Sequence, residues 1–339
     1  MAEETESDLA GKTQGSAKSR AGGRGGWLLR WALAIAILVA VAYFVDLRAA
    51  INAVAGADPY WLVLGLLANF VGTIFLPALI TREAQHVQNA RMSVARLVEI
   101  NISNRFYILV LPRIAAVAIR LVRYGDGKPT AAAFALLLFE RCVQLSTLMV
   151  LATVTLWLDR GNLGAMGQFL FWLVAAGSGV SLAALAAFFI GAVHRLTYAV
   201  LEQMGGILPQ AILRKLANMV ETAAIFRQTE HRRAGVMVAL SLLASVFFYT
   251  SAWFAAQSIG LEISLLSLVW IRSVVFLLTL IPLTVGGIGV REAGFVGFLA
   301  LLGVPAPAAL AFSAVNFSFQ VAIALAGAFS ELWRLNRRR

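Results

Sequence analysis

The stretch IPLTVGGIGVRE, residues 281–292, lies within one of the most apolar regions of the chain, yet it holds Pro282, Gly286, Gly287, Gly289 and the doublet Arg291-Glu292. Proline removes a backbone donor and clashes with the preceding turn, and glycine admits backbone angles that a helix excludes. A helix entering this stretch must break, and a new one starts near Val290. Unpaired backbone at membrane depth is tolerated only where protein or water surrounds it. The stretch therefore reads as the turn and second arm of a helical hairpin, in a region running from Ile263 to Gly303, buried among other helices.

A second region has the same character. NISNRFYILVLPRIAAVAIRLVRY, residues 101–124, is apolar and broken by Pro112 near its middle. Around the two lie uninterrupted apolar runs at about 27–46, 59–80, 131–157, 166–190, 234–258 and 307–333. Each is about 20 residues or longer, the length a helix needs to cross roughly 30 Å of hydrocarbon. The chain is thus expected to be an all-α polytopic membrane protein with six full transmembrane helices and two re-entrant helical hairpins.

Composition agrees: of 339 residues, 60% are hydrophobic and only 13% charged. Cys142 is the single cysteine, and His86, His194 and His231 are scattered, so neither a disulfide framework nor a metal-ligand spacing is present. No cofactor is expected. The net charge of +11 resides in short loops and at the C-terminus, which marks orientation and not a nucleic-acid surface. Residues 1–26 are polar and rich in Gly and Ser, as expected for a disordered tail.

With a cytoplasmic N-terminus, every basic connection falls inside: Arg82, Arg91 and Arg96; Arg123 and Lys128; the 191–233 linker with Arg195, Arg214, Lys215, Arg227, Arg232 and Arg233; and the tail 334–339. The expected outer loops, 47–58, 158–165 and 259–262, are short and poor in Lys and Arg. This satisfies the positive-inside rule and makes the two hairpins enter from opposite sides. Each lies between two spans, giving two inverted halves, about 59–157 and 234–333, within a membrane domain of 27–333. Inverted repeats whose broken helices meet near the midplane recur in transporters. The 191–233 linker, with helical spacing of apolar residues, is expected to form amphipathic cytoplasmic helices.

Seven charges fall inside apolar regions: Arg113, Arg120, Glu140, Arg141, Arg272, Arg291 and Glu292. At about 3 kcal/mol each on lipid-facing helices they would cost roughly 20 kcal/mol, so they must face a protein interior or a polar cavity. Neighbouring helical residues point about 100° apart, so each Arg/Glu doublet is expected to find its partners on other elements, Glu140 with an arginine of a hairpin. Five arginines against two glutamates leave a positive surplus suited to an anionic ligand such as a lipid phosphate. Asn316, with Ser313 and Gln320, lies on one face of the last span and reads as interhelical hydrogen-bond glue with access to the same interior. Asn101 and Asn104 are expected to cap the first hairpin.

LPRIAAVAIR, then FERCVQL, then IPLTVGGIGVREAGFVGFLALLGV resembles the transmembrane region of lysylphosphatidylglycerol synthases and the stand-alone flippase-like proteins related to it. The resemblance implies a bacterial cytoplasmic-membrane protein, with both termini cytoplasmic, that moves or presents lipid headgroups. It places Pro112, Arg120, Glu140, Arg141, Pro282, Gly286, Gly287, Gly289, Arg291 and Glu292 at the family's characteristic positions. This chain departs from the pattern at Ala115–Ala118 and Gln144, where relatives often carry acidic residues. The expected ligand is a phospholipid or a polyprenyl-phosphate-linked lipid, its phosphate engaged by Arg120, Arg141 and Arg291 while Glu140 and Glu292 hold the arginines in place, with Arg113, Arg272 and Asn316 at the same headgroup site. The expected activity is translocation without catalysis. A non-catalytic subunit serving a separate glycosyl- or aminoacyltransferase, or an integral-membrane transferase, is the alternative. A membrane-associated transferase and a second copy of the chain are both compatible partners.

Overall fold

The structure, a computed structural model, describes residues 52, 54–87, 92–111, 113–125, 127–128, 130–189, 231–280, 284 and 287–337. The 1–26 tail, the expected 27–46 span, nearly all of the 191–233 linker, Pro112, Pro282 and Gly286 lie outside the described residues. All regular structure among the described residues is helical.

The first described span joins α1 (Pro59–Phe70) and α2 (Leu76–Val87) through a single π turn, Val71–Phe75. Asp58 caps α1 by accepting from the Tyr60 amide at 2.8 Å, and Pro59 occupies the first helical position, where its missing N–H is not needed. Helix α3 (Val94–Val110) stops at Leu111, which is extended at φ −108°, ψ 157°. A residue preceding proline is driven out of the helical region, so Pro112 sets that break, and α4 (Arg113–Tyr124) follows it. Two long helices come next, α5 (Ala131–Asp159) and α6 (Gly164–Phe189), joined by a short 3₁₀ turn.

Helices α7 (His231–Ser258), α8 (Leu265–Leu280), α9 (Val290–Ala300) and α10 (Ala306–Arg337) complete the described chain. Helix α9 starts at the residue where the glycine-rich turn predicts it. Gly287 and Gly289 hold φ of 74° and 85°, a left-handed backbone that side chains with a Cβ resist.

Five helices are long and apolar enough to cross a membrane: Pro59–His86, Ala132–Asp159, Gly164–Ala186, Arg232–Ser258 and Ala306–Arg334. They coincide with five of the six expected spans; the sixth, 27–46, is outside the described residues. Between them lie the two broken pairs, α3–α4 and α8–α9, each with its arms in mutual contact.

Helices α1 and α7 pack on each other, α5 packs on α8, and α10 packs on α3. In lipid, where burying apolar side chains gains little, such contacts depend on close packing of small residues. Ala252, Ala255 and Ala256 of α7 are accordingly fully buried, and a Cβ on Gly72 would lie 2.7 Å from the Phe248 amide nitrogen and 2.8 Å from the Ala244 carbonyl oxygen of α7. The largest core, around Trp270, Phe295 and Phe312, joins all of α5 to α10; a second, around Phe139, Leu97 and Ile100, joins α2, α3, α4, α5 and α7. Asp159, at the end of α5, accepts from Ser267 at 2.8 Å and from the Trp270 indole at 2.7 Å, locking α5 to the start of α8.

Candidate functional site

The π turn is the natural place to start, because it disturbs the i to i−4 ladder and turns carbonyls outward. Two of these are used by α3: Asn101 Nδ2 donates to the Ile74 carbonyl at 3.2 Å, and Arg105 Nη2 donates to the Thr73 carbonyl at 3.1 Å. Asn101 is therefore a buried residue in mid-helix, and the capping role expected for it is corrected. The cap of α3 is Ser93, which accepts from the Arg96 amide at 3.3 Å.

Asn101 also links the π turn to the first buried arginine. Arg120 Nη2 lies 3.0 Å from Asn101 Oδ1, 2.6 Å from the Tyr124 hydroxyl and 2.7 Å from Glu140 Oε2. Thr81 donates to the other Glu140 oxygen. Glu140 thus takes an arginine of the first broken helix pair as its partner, on a different element, as the sequence leads one to expect. Arg141 bonds Gln144 Oε1 at 2.9 Å, one turn along its own helix.

The second doublet behaves differently. Arg291 pairs with the adjacent Glu292, with Nε 3.0 Å from Oε1 and Nη2 on the same oxygen, and its guanidinium carbon sits 4.0 Å from the centre of the Phe317 ring. This corrects the expectation that the neighbours seek partners elsewhere. Backbone direction sets where each Cβ points, but Glu292 turns back to accept from the Gly289 amide at 2.7 Å. There its free oxygen meets Arg291, whose long stem bends across the helix start. Glu292 also supplies negative charge where the helix dipole is positive.

Arg272 is the third buried arginine, 4% exposed. Its Nη1 donates to Ser251 Oγ at 3.0 Å and its guanidinium carbon lies 3.8 Å from the centre of the Phe248 ring. No carboxylate among the described residues reaches it. Withdrawing a guanidinium from water costs several kcal/mol even after relaxation. A desolvated cation–π contact returns about 2 kcal/mol and a charged hydrogen bond about 1.5–3 kcal/mol. Arg120 and Arg291 have a carboxylate to supply the rest; Arg272 has none among the described residues.

Of the remaining sequence-derived candidates, Arg113 opens α4, and its side chain is outside the described set together with Pro282 and Gly286. Asn316 is 2% exposed and neither atom of its amide has a hydrogen-bond partner; Ser313 Oγ and Thr284 Oγ1 are likewise buried and unpartnered among the described residues. The glue role expected of Asn316 is thus not realised within the described residues.

Sequence reasoning overlooked Arg105, although it stands in the same apolar region as Arg113 and Arg120 and was readable as an intramembrane charge. It also overlooked a triad at one end of the bundle. Arg123 donates to Glu331 Oε1, and Arg334 donates to Oε2 at 2.8 Å. The signal there was Glu331 itself, an acid inside the last apolar run, three residues before Arg334.

No curated protein and no solved structure matches the chain. The family model described as the lysylphosphatidylglycerol synthase TM region matches residues 27–327, and with nearly the whole chain aligned to it, this membrane protein belongs to that family.

Proposed function

We propose that the protein translocates an anionic lipid across the bacterial cytoplasmic membrane, the headgroup passing through a polar chamber between two re-entrant hairpins while the acyl chains remain in the bilayer. The observation that carries this reading is the burial of guanidinium groups on both broken helix pairs: Arg120 at 8%, Arg272 at 4% and Arg291 at 6% exposure. Charges at membrane depth mark substrate paths far more often than lipid-facing surfaces.

Helix lengths support the re-entrant reading. At 1.5 Å per residue, the 12 residues of α4 and the 11 of α9 reach about 18 and 16 Å, well short of roughly 30 Å of hydrocarbon. The reciprocal contacts support an inverted repeat, since the closing span of each half rests on the first arm of the other half's pair. A pseudo-two-fold axis in the membrane plane produces that exchange. Arg120, Arg141, Arg272 and Arg291 line the headgroup path, and the Gly287–Gly289 turn lets backbone approach it. Asn316 borders the same path.

The test is reconstitution of the full chain in liposomes carrying a fluorescent phosphatidylglycerol, with dithionite quenching of the outer leaflet. The wild type brings more than half of the label within reach of quencher, and Arg291→Ala slows exchange at least tenfold. Quenching that stops at half, as in protein-free liposomes, removes the reading.

A further inference from the structure

Arg272 and Arg291, on the two arms of the second broken pair, are built alike up to one difference. Each guanidinium lies against a phenylalanine ring, Arg272 with its central carbon 3.8 Å from the centre of Phe248 and Arg291 4.0 Å from that of Phe317. Arg291 turns Nε and Nη2 onto Glu292 Oε1, Nε at 3.0 Å. Arg272 is as deeply buried, at 4% exposure, and has no carboxylate among the described residues.

The surroundings of Arg272 hold it in direction without neutralising it. Its Nη1 donates to Ser251 Oγ at 3.0 Å. Ser251 is itself anchored, donating to the Phe248 carbonyl at 2.8 Å and lying 3.4 Å from Asn69 Nδ2 of the first span. The N–H bonds of Nε and Nη2 run side by side along one edge of the guanidinium plane, away from Nη1, and in Arg272 neither makes a hydrogen bond to a described residue. The edge that Arg291 spends on Glu292 is therefore unspent in Arg272, with the ring contact and the serine fixing its aim.

We propose that the Nε–Nη2 edge of Arg272 is an oxyanion site and that its ligand is a phosphodiester. Two non-bridging oxygens match two parallel N–H bonds, and one negative charge balances one buried cation. A phosphomonoester carries about 1.5–2 negative charges at neutral pH, and the excess is costly where water is excluded. The assignment of the diester to a lipid on the path described above rests on the translocator reading; the open edge does not.

The experiment uses the purified full chain. Native mass spectrometry measures retention of dioleoylphosphatidylglycerol, a diester, against dioleoylphosphatidic acid, a monoester, and dioleoylglycerol, which has no phosphate. Thermal unfolding in detergent is read in parallel, with and without dimethyl phosphate as a soluble diester. The wild type is expected to retain phosphatidylglycerol at least tenfold over dioleoylglycerol and to prefer it to phosphatidic acid. R272Q lowers that retention at least tenfold, R272K, which keeps the charge and loses the planar edge, lowers it less, and R160Q, a charge control at an exposed residue, changes it less than twofold. Without added lipid, R272M unfolds no lower than wild type, because removing a cation that lacks a counter-ion strands no charge, whereas R120M strands Glu140 and unfolds lower.

Selective retention by wild type that R272Q and R272M leave unchanged overturns the site and leaves the translocator reading standing. Equal retention of phosphatidic acid and phosphatidylglycerol, both lost in R272Q, overturns the diester preference. A midpoint of R272M as low as that of R120M shows that the chain already supplies a counter-ion and overturns the site. A rise in midpoint with dimethyl phosphate that R272Q abolishes, without selective lipid retention, keeps the edge as a site for a soluble diester and overturns the lipid reading. A wild type that responds to none of the probes overturns the site, and dithionite quenching on the same preparation shows whether translocation falls with it.

Discussion

Arg120 and Glu140 are joined across two helices, Nη2 to Oε2 at 2.7 Å, with the side chains only 9% and 11% exposed. The contact fastens the second arm of the first broken pair to the span that follows it, and Thr81 and Tyr124 complete the shell around the carboxylate. Breaking such a pair from one side leaves an uncompensated charge, at a cost of about 3–5 kcal/mol. E140A is therefore expected to unfold well below wild type in detergent. The double replacement R120M/E140L recovers much of the loss, because both charges leave together. Equal midpoints for E140A and the double variant would show that the pair does not hold the arm.

The start of α9 depends on two separate properties of Glu292, its acceptor oxygens and its charge. E292Q keeps an oxygen for the Gly289 amide and loses the charge facing Arg291; E292A loses both. The expected order of thermal midpoints is wild type, then E292Q, then E292A. Loss of an N-terminal cap costs about 1 kcal/mol, and the abandoned buried guanidinium adds to it in both variants. G289A is destabilising by about 1–2 kcal/mol for a different reason, since φ of 85° is unfavourable once a Cβ is present. Retention of the wild-type midpoint by G289A would mean that α9 can start without the left-handed turn.

Close helix contact can be tested against an internal control. A Cβ on Gly327 of α10 would lie 2.4 Å from the Ile102 carbonyl oxygen of α3, whereas one on Gly179 of α6 meets nothing within 4 Å. G327A forces α10 away from α3 at a cost of about 1–3 kcal/mol. G179A is expected to be neutral or to stabilise by up to about 1 kcal/mol through helix propensity. Thermal unfolding of the two variants, with similar losses in both, would remove the packing explanation.

Much of this architecture is legible before any coordinates, because the membrane restricts the choices. Apolar runs near 20 residues mark the five described spans, Pro112 marks the end of α3, and the glycines before Val290 mark the start of α9. The π turn at Val71–Phe75 is legible only through Pro77, which has no N–H for the Thr73 carbonyl four residues back and frees it for another donor. Its carbonyls are engaged by Asn101 and Arg105, contacts between distant parts of the chain that no local pattern encodes. The same limit explains the Arg291-Glu292 pair. Periodicity fixes the angle between neighbouring Cβ atoms, whereas the side-chain torsions of a long arginine and a capping glutamate decide where the charges meet. Arg105 was accessible to sequence reading as an intramembrane arginine; its bond to the Thr73 carbonyl was not.

Glu331 accepts from Arg123 of α4 and from Arg334 on its own helix, so one carboxylate fastens the end of the first broken pair to the last span. The Arg123 guanidinium also lies 5.6 Å from the centre of the Tyr107 ring on α3, so the latch binds both arms. Replacing Glu331 with alanine leaves two cations facing each other with no anion between them, whereas glutamine retains an acceptor. Hydrogen exchange followed by mass spectrometry is expected to show faster exchange across 113–124 in E331A than in wild type, with E331Q between them. The 290–300 segment, held by Glu292, is unchanged. Because surface pairs contribute at most about 1 kcal/mol, E99A, which removes the half-buried partner of Arg96, serves as the control and leaves both segments unaltered. Equal exchange across 113–124 in wild type and E331A would place the restraint on α4 elsewhere, most directly in the Arg120–Glu140 contact.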